Sequence, residues 1–140
     1  MPSTTVISAN HDLVRRLMRA IESGAHGEQL RGYFHSEVEQ VEYPSLVDPR
    51  VGRRGPEELL AASTTGVGLL VGQRYEERRV VEAGDDLVMQ IEWHAELAVP
   101  LGSLPAGARL HTYSVLSFGF DGGRIRRMEA YDCYDPLPAV

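Results

Sequence analysis

Two residues of this chain, Tyr43 and Asp132, have types and positions that suggest acid–base chemistry. Tyr43 ends an alternating segment just before Pro44, which is typical of a strand. A phenol with an unperturbed pKa near about 10 donates a hydrogen bond at neutral pH more readily than it accepts a proton. Asp132 lies in a second predicted strand, where aspartate is uncommon, and burial there would raise its pKa toward a useful value. A donor and a base facing one space are the minimum set for proton transfer on a carbonyl compound.

Both residues also have purely structural interpretations. Tyr43 could be a core tyrosine with a satisfied hydroxyl, which is the common situation of buried tyrosines. Asp132 could anchor the last turn or pair with an arginine, while Asp135 before Pro136 is typical of a turn. The direction of Asp132 also depends on register, because a shift of one residue in the last strand would turn Tyr131 inward in its place.

Aromatic residues on the predicted strands are candidates for the wall of a binding pocket. Trp93 lies on the apolar face of the most regular alternating segment, where it is either pocket wall or core. Tyr113 and His111 share one face of the next strand, and Tyr113 is favoured as a ligand contact because His111 lies nearer the strand end. The predicted pocket residues are Phe34, Trp93, Tyr113 and, in the shifted register, Tyr131.

The histidines do not form a predicted metal site. His94 lies on the polar face of its strand beside Glu92 and Glu96, which predicts a solvated or subunit-facing side chain. Helices and loops carry the others, His11, His26 and His35. No pair has the spacing of a zinc-binding helix or a facial triad, and no glycine-rich phosphate loop contains a lysine. We therefore expect neither a metal nor a cofactor.

Composition excludes several classes of function. The 140 residues fit one domain, residues 1–140, and the net charge of −6 argues against nucleic-acid binding. Every basic residue is arginine, so a lysine Schiff base is excluded, and the single cysteine excludes an internal disulfide. No segment approaches the roughly 18 apolar residues of a membrane span, and the polar N-terminal residues predict no export signal. We therefore expect a cytoplasmic protein that does not bind membranes.

These residues must be positioned by helices and strands, and the sequence contains segments with the periodicity of each. Asn10 can cap a first helix, whose apolar stripe at helical spacing runs from Leu13 to Ile21. A short helical turn follows, and Pro56 opens another helix. From Gln73 onward the period changes to two. The predicted strands are residues 38–43, 74–82, 87–99, 110–120 and 124–133. Helices that precede a meander of long strands predict an α+β fold with helices on one face of a curved antiparallel sheet.

This order, together with the segments FHSEVEQVEYP, RRGPEELL, SFGFDGGRIRRMEAYD and YDCYDP, resembles the SnoaL-like polyketide cyclases. These belong to the nuclear transport factor 2-like superfamily, with ketosteroid isomerase and limonene epoxide hydrolase. The resemblance implies a cone-shaped α+β barrel with an apolar pocket at its open end, and a homodimer formed through the sheets. Isomerase-like members carry an aspartate base in a VEDP-like segment where this chain has Tyr43, which argues against steroid isomerisation. SnoaL-like cyclases use an aspartate near their late strands, and Asp132 matches that position.

The resulting hypothesis is a cofactor-free isomerase or cyclase acting on a small apolar carbonyl compound. Tyr43 would polarise the carbonyl and Asp132 would move the proton. The alternatives are a non-catalytic binder of small apolar ligands and a dimeric interaction module with a filled cone. An epoxide hydrolase of this superfamily needs an Asp-Arg-Asp arrangement. Asp132, Arg74 and Tyr43 are available for it, but a convincing second aspartate is missing.

Overall fold

The computed structural model describes residues 6–136, so residues 1–5 and 137–140 of the predicted domain lie outside it. Within that range the elements are α1 Ala9–Glu22, a 3-10 helix Gly27–Tyr33, β1 Phe34–Glu42, β2 Gly52–Arg54, α2 Pro56–Leu69, β3 Leu70–Ala83, β4 Asp86–Leu97, β5 Arg109–Asp121 and β6 Arg124–Tyr134. None of the helices in this range is long and apolar enough to cross a bilayer.

The six strands form one curved sheet in the order β2-β1-β6-β5-β4-β3. The predicted α+β class is confirmed, but the sheet is mixed and does not close. β1 runs parallel to β6, whereas the other neighbouring strands are antiparallel. A parallel pair needs a long crossover connection, and the chain from β2 to β5 provides it. β3 forms one edge of the sheet, and the short strand β2 forms the other.

The helices cover one face of the sheet, which we call the inner face. Ser8 caps α1 by accepting a hydrogen bond from the backbone N–H of His11, and the apolar stripe of α1 is buried. Burying each leucine-sized side chain contributes about 1.5–3 kcal/mol. The core between helices and sheet includes Leu13, Val14, Leu17, Met18, Met89, Ile91, Phe118 and Ile125.

A tight turn at Gly122–Gly123 joins β5 to β6. Both glycines have positive φ values, +59° and +76°. A two-residue turn of this kind matches the twist of the flanking strands and requires positive φ at both central positions. The tightness of this turn fixes the register that places β6 beside β5.

Both ends of α1 are attached to the edge strand β3. The guanidinium of Arg15 donates two hydrogen bonds of 2.9 Å to Glu77, whose Oε1 also lies 3.0 Å from Nε2 of His11. At the other end, Glu22 accepts a 2.7 Å hydrogen bond from the backbone N–H of Tyr75. The hydrogen bonds from Arg15, assisted by His11, lower the pKa of Glu77 below its ordinary value despite partial burial.

We expect Glu77→Gln to lower the free energy of unfolding at pH 7 by about 1 kcal/mol, because two hydrogen bonds to a carboxylate are weakened. The folded-state pKa is lowered, so this contribution is present above the ordinary value of 4.5 and is lost as pH falls through the folded value. Urea denaturation at pH 7 and at about pH 3 should therefore show a difference from wild type that shrinks in acid. The role of Glu77 would be contradicted if the variant and the wild type differed in unfolding free energy by the same amount at both pH values. It would also be contradicted if Glu37→Gln lost as much stability as Glu77→Gln.

Candidate functional site

The inner face and the helices enclose two adjoining cavities. The larger has a volume of about 340 Å³ and the smaller about 200 Å³. Six residues line both: Gln40, Glu42, Gln73, Tyr75, Trp93 and Met128. Because these walls are shared, we treat the two as one space and call it the joined cavity.

Apolar side chains from the helices and the sheet form most of the larger part of the joined cavity. α1 contributes Leu17 and Ile21, and α2 contributes a row along its inner side. Phe34 and Trp93, two of the predicted pocket residues, both line this part. α2 presents Leu59, Ala62, Ser63, Gly66, Val67 and Leu69. Such a surface favours an apolar ligand of small size.

A hydrogen-bonded group of three side chains lies between the two parts of the joined cavity. The indole N–H of Trp93 donates to Oε1 of Gln73 over 3.0 Å, and the Tyr75 hydroxyl lies 3.4 Å from the same oxygen. An indole N–H can only donate, so it fixes Oε1 of Gln73 as the acceptor. The NH₂ group of Gln73 forms no hydrogen bond within residues 6–136 and is a free donor toward a ligand.

Asp132 lines the smaller part of the joined cavity. It lies opposite Ser114 in the β5–β6 ladder, and the Ser114 hydroxyl donates a 2.6 Å hydrogen bond to its Oδ1. Thr112 lies 2.7 Å from the Ser114 oxygen and completes a short chain of hydroxyls. Oδ2 of Asp132 has no hydrogen-bond partner among the described residues, so one carboxylate oxygen is oriented and the other is available.

Two phenols share this space with Asp132. Burial raises the pKa of Tyr134 to about 12, and the carboxylates of Asp132 and Glu42 add to the effect. Burial also raises the pKa of Tyr75, again with a contribution from Asp132. Both phenols are therefore neutral at physiological pH and act as hydrogen-bond donors.

Charged side chains occupy the rim of the joined cavity, where β1 ends beside β2. Arg54 pairs with Glu42 at 3.1 Å and donates a 3.2 Å hydrogen bond to Oε1 of Gln40. Glu42 is exposed, with 47% of its side chain accessible. It lies beside Ala130 in the parallel β1–β6 pair, diagonally across from Asp132. The rim thus provides a fixed ion pair and the interior an unpaired carboxylate oxygen.

Tyr43 lies on the opposite, outer face of the sheet. Its hydroxyl donates a 2.6 Å hydrogen bond to Glu129, and its ring stacks on Tyr131 with centroids 4.5 Å apart. The hydrogen bond to Glu129 raises the pKa of Tyr43 to about 12. This placement corrects the expectation that the Tyr43 phenol faces the pocket beside Asp132. Tyr131 is also outside, because the register turns Asp132 inward.

Tyr113 is likewise on the outer face and does not line the joined cavity. Its side chain is 56% exposed, and its ring meets His111 edge-on with centroids 4.7 Å apart. This placement corrects the expectation that Tyr113 contacts a ligand. The residues of β5 that face inward are the alternating series Leu110, Thr112, Ser114 and Leu116, so Tyr113 faces outward. Asp132, Phe34 and Trp93 are therefore the sequence-predicted residues that the structure brings together.

Sequence reasoning missed most of the polar residues of the joined cavity. Gln40 and Glu42 alternate in phase with the buried Val38, which was the available signal for their inward direction. Gln73 had no signal of its own, because its position opposite Ala95, next to Trp93, follows from strand pairing. Tyr134 shares the phase of Asp132 and could have been inferred with it.

A second group of ionisable side chains lies on the outer face. Glu92 and His94 on β4 and His111 on β5 present ligand atoms that are all within 4.8 Å of one another. The two histidines are 17 positions apart in the sequence, and only the strand register brings His94 directly opposite His111. Imidazole and carboxylate groups in this combination are metal-ligating types.

Comparison with known proteins identifies the fold. No known family model matches the sequence, and no curated protein is similar to it. A structure described as a SnoaL-like polyketide cyclase from Jannaschia sp. CCS1 is similar, with a TM-score of 0.72, 17% identity and coverage of 94% of this chain and 90% of that chain. IdmH from Streptomyces antibioticus, described as a polyketide cyclase, gives 0.72 and 17%, with 88% and 91% coverage.

A structure described as an LEH-like epoxide hydrolase from M. tuberculosis is also similar, with a TM-score of 0.66, 15% identity and coverage of 91% of this chain and 83% of that chain. The expected resemblance to SnoaL-like proteins is therefore confirmed as a shared fold. Structures described as cyclases and as an epoxide hydrolase share this fold, so the fold does not determine the activity. The activity has to be argued from the residues of the site.

We expect Tyr43→Phe to lower the free energy of unfolding only slightly while leaving ligand binding in the joined cavity unchanged. The variant removes one hydrogen bond to Glu129 and keeps the ring that stacks on Tyr131. Urea denaturation and titration with an apolar fluorescent probe measure the two quantities. A tenfold change in probe affinity at unchanged stability would contradict the outer placement of Tyr43.

Proposed function

We propose that the chain is a cofactor-free acid–base enzyme that acts on a small, largely apolar carbonyl compound bound in the joined cavity. The observation that carries the proposal is Asp132, a carboxylate with one free oxygen inside a space with mostly apolar walls. Acid–base catalysis requires such a group within hydrogen-bond reach of the substrate.

Asp132 acts as the base. The hydrogen bond from Ser114 to Oδ1 holds the carboxyl plane, so Oδ2 has a defined direction toward the ligand. The hydroxyl of Ser114 is itself held by Thr112, which lowers the freedom of the whole group. A base that is already oriented before the reaction increases the rate, because the entropy lost in positioning its side chain has been lost during folding.

Donors for the substrate carbonyl come from the same space and replace the role first assigned to Tyr43. The free NH₂ group of Gln73 is fixed in direction by Trp93, and the neutral phenol of Tyr134 lies in the same part as Asp132. Such donors stabilise the negative charge that develops on the carbonyl oxygen. The site therefore contains a base and two candidate donors without any cofactor.

The proposed step is a proton transfer in two stages. Oδ2 of Asp132 takes a proton from the carbon next to the carbonyl, and the electron pair of that C–H bond moves to the carbonyl oxygen to form an enolate. The protonated Asp132 then returns its proton to another carbon, which gives an isomer, or to an oxygen after the enolate carbon has formed a bond within the molecule, which gives a cyclised product. Atoms and charges balance in both cases, and the apolar walls reduce competing reactions with water.

The residues of the site favour this class of activity over epoxide hydrolysis. Two of the similar structures are described as polyketide cyclases, and ring closure at an enolate carbon is the second outcome above. The Asp-Arg-Asp arrangement expected for an epoxide hydrolase is not found among residues 6–136. Asp132 is bound to Ser114, Arg54 pairs with Glu42, and Arg74 lies near Glu76 on the outer face.

Non-catalytic binding of an apolar ligand is the second candidate, because the same cavity without proton transfer would serve a carrier. The two functions differ in one property of Asp132. A carrier needs its carboxylate only for a hydrogen bond, which contributes about 1 kcal/mol to affinity. An enzyme needs it as a base, which contributes about a hundredfold to ten-thousandfold to the rate.

We expect the wild-type protein to accelerate exchange of the α-protons of 2-tetralone in D₂O, and Asp132→Asn to lower that rate by about a hundredfold or more. The asparagine keeps the shape and the hydrogen bond from Ser114 but cannot take a proton. Proton NMR follows the exchange, and circular dichroism checks the fold.

Asp85→Asn is the matched control, since Asp85 lies in the exposed turn before β4. It should exchange at the wild-type rate. Saturable binding of 2-tetralone and other small cyclic ketones, with no exchange above buffer in the wild type, would favour the carrier. An undiminished rate in Asp132→Asn would exclude Asp132 as the base.

We also expect a homodimer formed through the outer face of the sheet. None of the described helices covers that face, and it exposes Val88, Tyr113 and Tyr131 among its charged residues. Apolar and aromatic side chains of this kind are enriched at subunit contacts. Light scattering at micromolar concentration should give twice the chain mass, and a monomer at moderate salt would contradict the expectation.

A further inference from the structure

We infer that the outer face of the sheet carries a binding site for a divalent transition-metal ion, with Glu92, His94 and His111 as ligands and Asp135 as a positioning residue. The site lies on the face opposite the joined cavity, so it is independent of the proposed reaction. No step of that reaction uses these four residues.

Strand geometry gathers the three ligands. Glu92 and His94 are two residues apart on β4 and therefore project from the same face. His111 lies directly opposite His94 on β5, and the two imidazoles stack with centroids 4.6 Å apart and an interplanar angle of 14°. Their ligand atoms and a carboxylate oxygen of Glu92 lie within 4.8 Å of one another. Donors bound to one tetrahedral ion at about 2.0–2.2 Å lie roughly 3.3 Å apart, so small side-chain rotations would bring these three onto one ion.

Asp135 fixes the direction of His111. Its Oδ2 lies 2.5 Å from Nδ1 of His111, and its backbone N–H donates a 3.0 Å hydrogen bond to the His111 carbonyl oxygen. With Nδ1 held in this way, Nε2 points at Glu92, whose Oε1 is 2.8 Å distant. A carboxylate that binds the distal nitrogen of a histidine is the usual support of a metal-ligating imidazole.

Glu92 is held in a matching way. Its Oε2 is bound by the guanidinium of Arg78, so Oε1 remains directed at the imidazole of His111. The side chain of Glu92 is only 12% exposed. A carboxylate oriented by an arginine on one oxygen can bind an ion with the other, and the arginine contact prevents it from turning away.

The surrounding charge favours a cation. Three carboxylates, those of Glu76, Glu92 and Asp135, lie against the two imidazoles and outnumber the two guanidiniums beside them, those of Arg74 and Arg78. Glu76 is 3.3 Å from Nε2 of His94 and is within reach as an additional ligand. Two imidazole nitrogens with a carboxylate select Zn²⁺, Ni²⁺ or Co²⁺ over Mg²⁺ and Ca²⁺, which prefer oxygen ligands only.

The test uses the full chain without an affinity tag, treated with a chelator and then dialysed. Titration with ZnCl₂ in a calorimeter should show one saturable site per chain in the micromolar range. CoCl₂ should give a visible absorption band that marks bound cobalt. Absence of saturable zinc binding would overturn the proposal.

Variants identify the residues that hold the ion. His94→Gln and His111→Gln should each abolish binding in that range, while Asp135→Asn should weaken it by about 10- to 100-fold. His35→Gln is the control and should bind as the wild type does, because His35 lies on β1 away from this cluster. Zinc binding that survives in both of the first two variants would overturn the assignment. Circular dichroism checks each fold, and Glu92→Gln replaces any histidine variant that is unfolded.

Discussion

One constraint organises this molecule: helices cover only one face of its sheet. Successive residues of a strand point to opposite faces, so every strand contributes one series to the covered side and one to the open side. Trp93 faces the joined cavity, whereas its neighbours Glu92 and His94 face outward. The covered series is mainly apolar and builds the core. The open series is rich in arginine and glutamate, which form ion pairs with one another within a strand and between neighbouring strands.

Where the alternation is long and regular, the sequence predicts both the element and the direction of its side chains. β4 is such a case, and Trp93 lines the joined cavity as its phase indicates. In β6 the buried Ile125 and the cavity-lining Met128 differ in phase, so the inward direction of Asp132 follows from strand register. The helices also follow from local signals, since Pro56 occupies the first turn of α2 and the apolar stripe of α1 is buried. These features depend on neighbours along the chain, which a single sequence contains.

The side-chain directions and pairs that the sequence did not predict correctly depend on contacts between strands. Val38 and Val41 are three residues apart and hence lie on opposite faces, yet both are almost completely buried, at 2% and 0% exposure. The apolar pattern of β1 therefore fits either phase, and Tyr43 was assigned to the wrong side. Pairs such as Gln73 with Trp93, or His94 with His111, arise from register between strands. Register depends on turns and on irregularities such as the shift between Glu77 and Arg79, which local patterns do not determine.

The hairpin of β4 and β5 carries residues of both faces in strict alternation, and this has an evolutionary consequence. Adjacent codons in Glu92-Trp93-His94 specify side chains for two separate environments, so selection can adjust one face while the other drifts. Substitutions are therefore partitioned between the faces at every second position. An insertion or deletion affects both faces at once, because loss of a single residue within β4 would turn every later side chain of the strand to the opposite face. The hairpin should thus diversify by replacement and keep a constant length among descendants that retain either face.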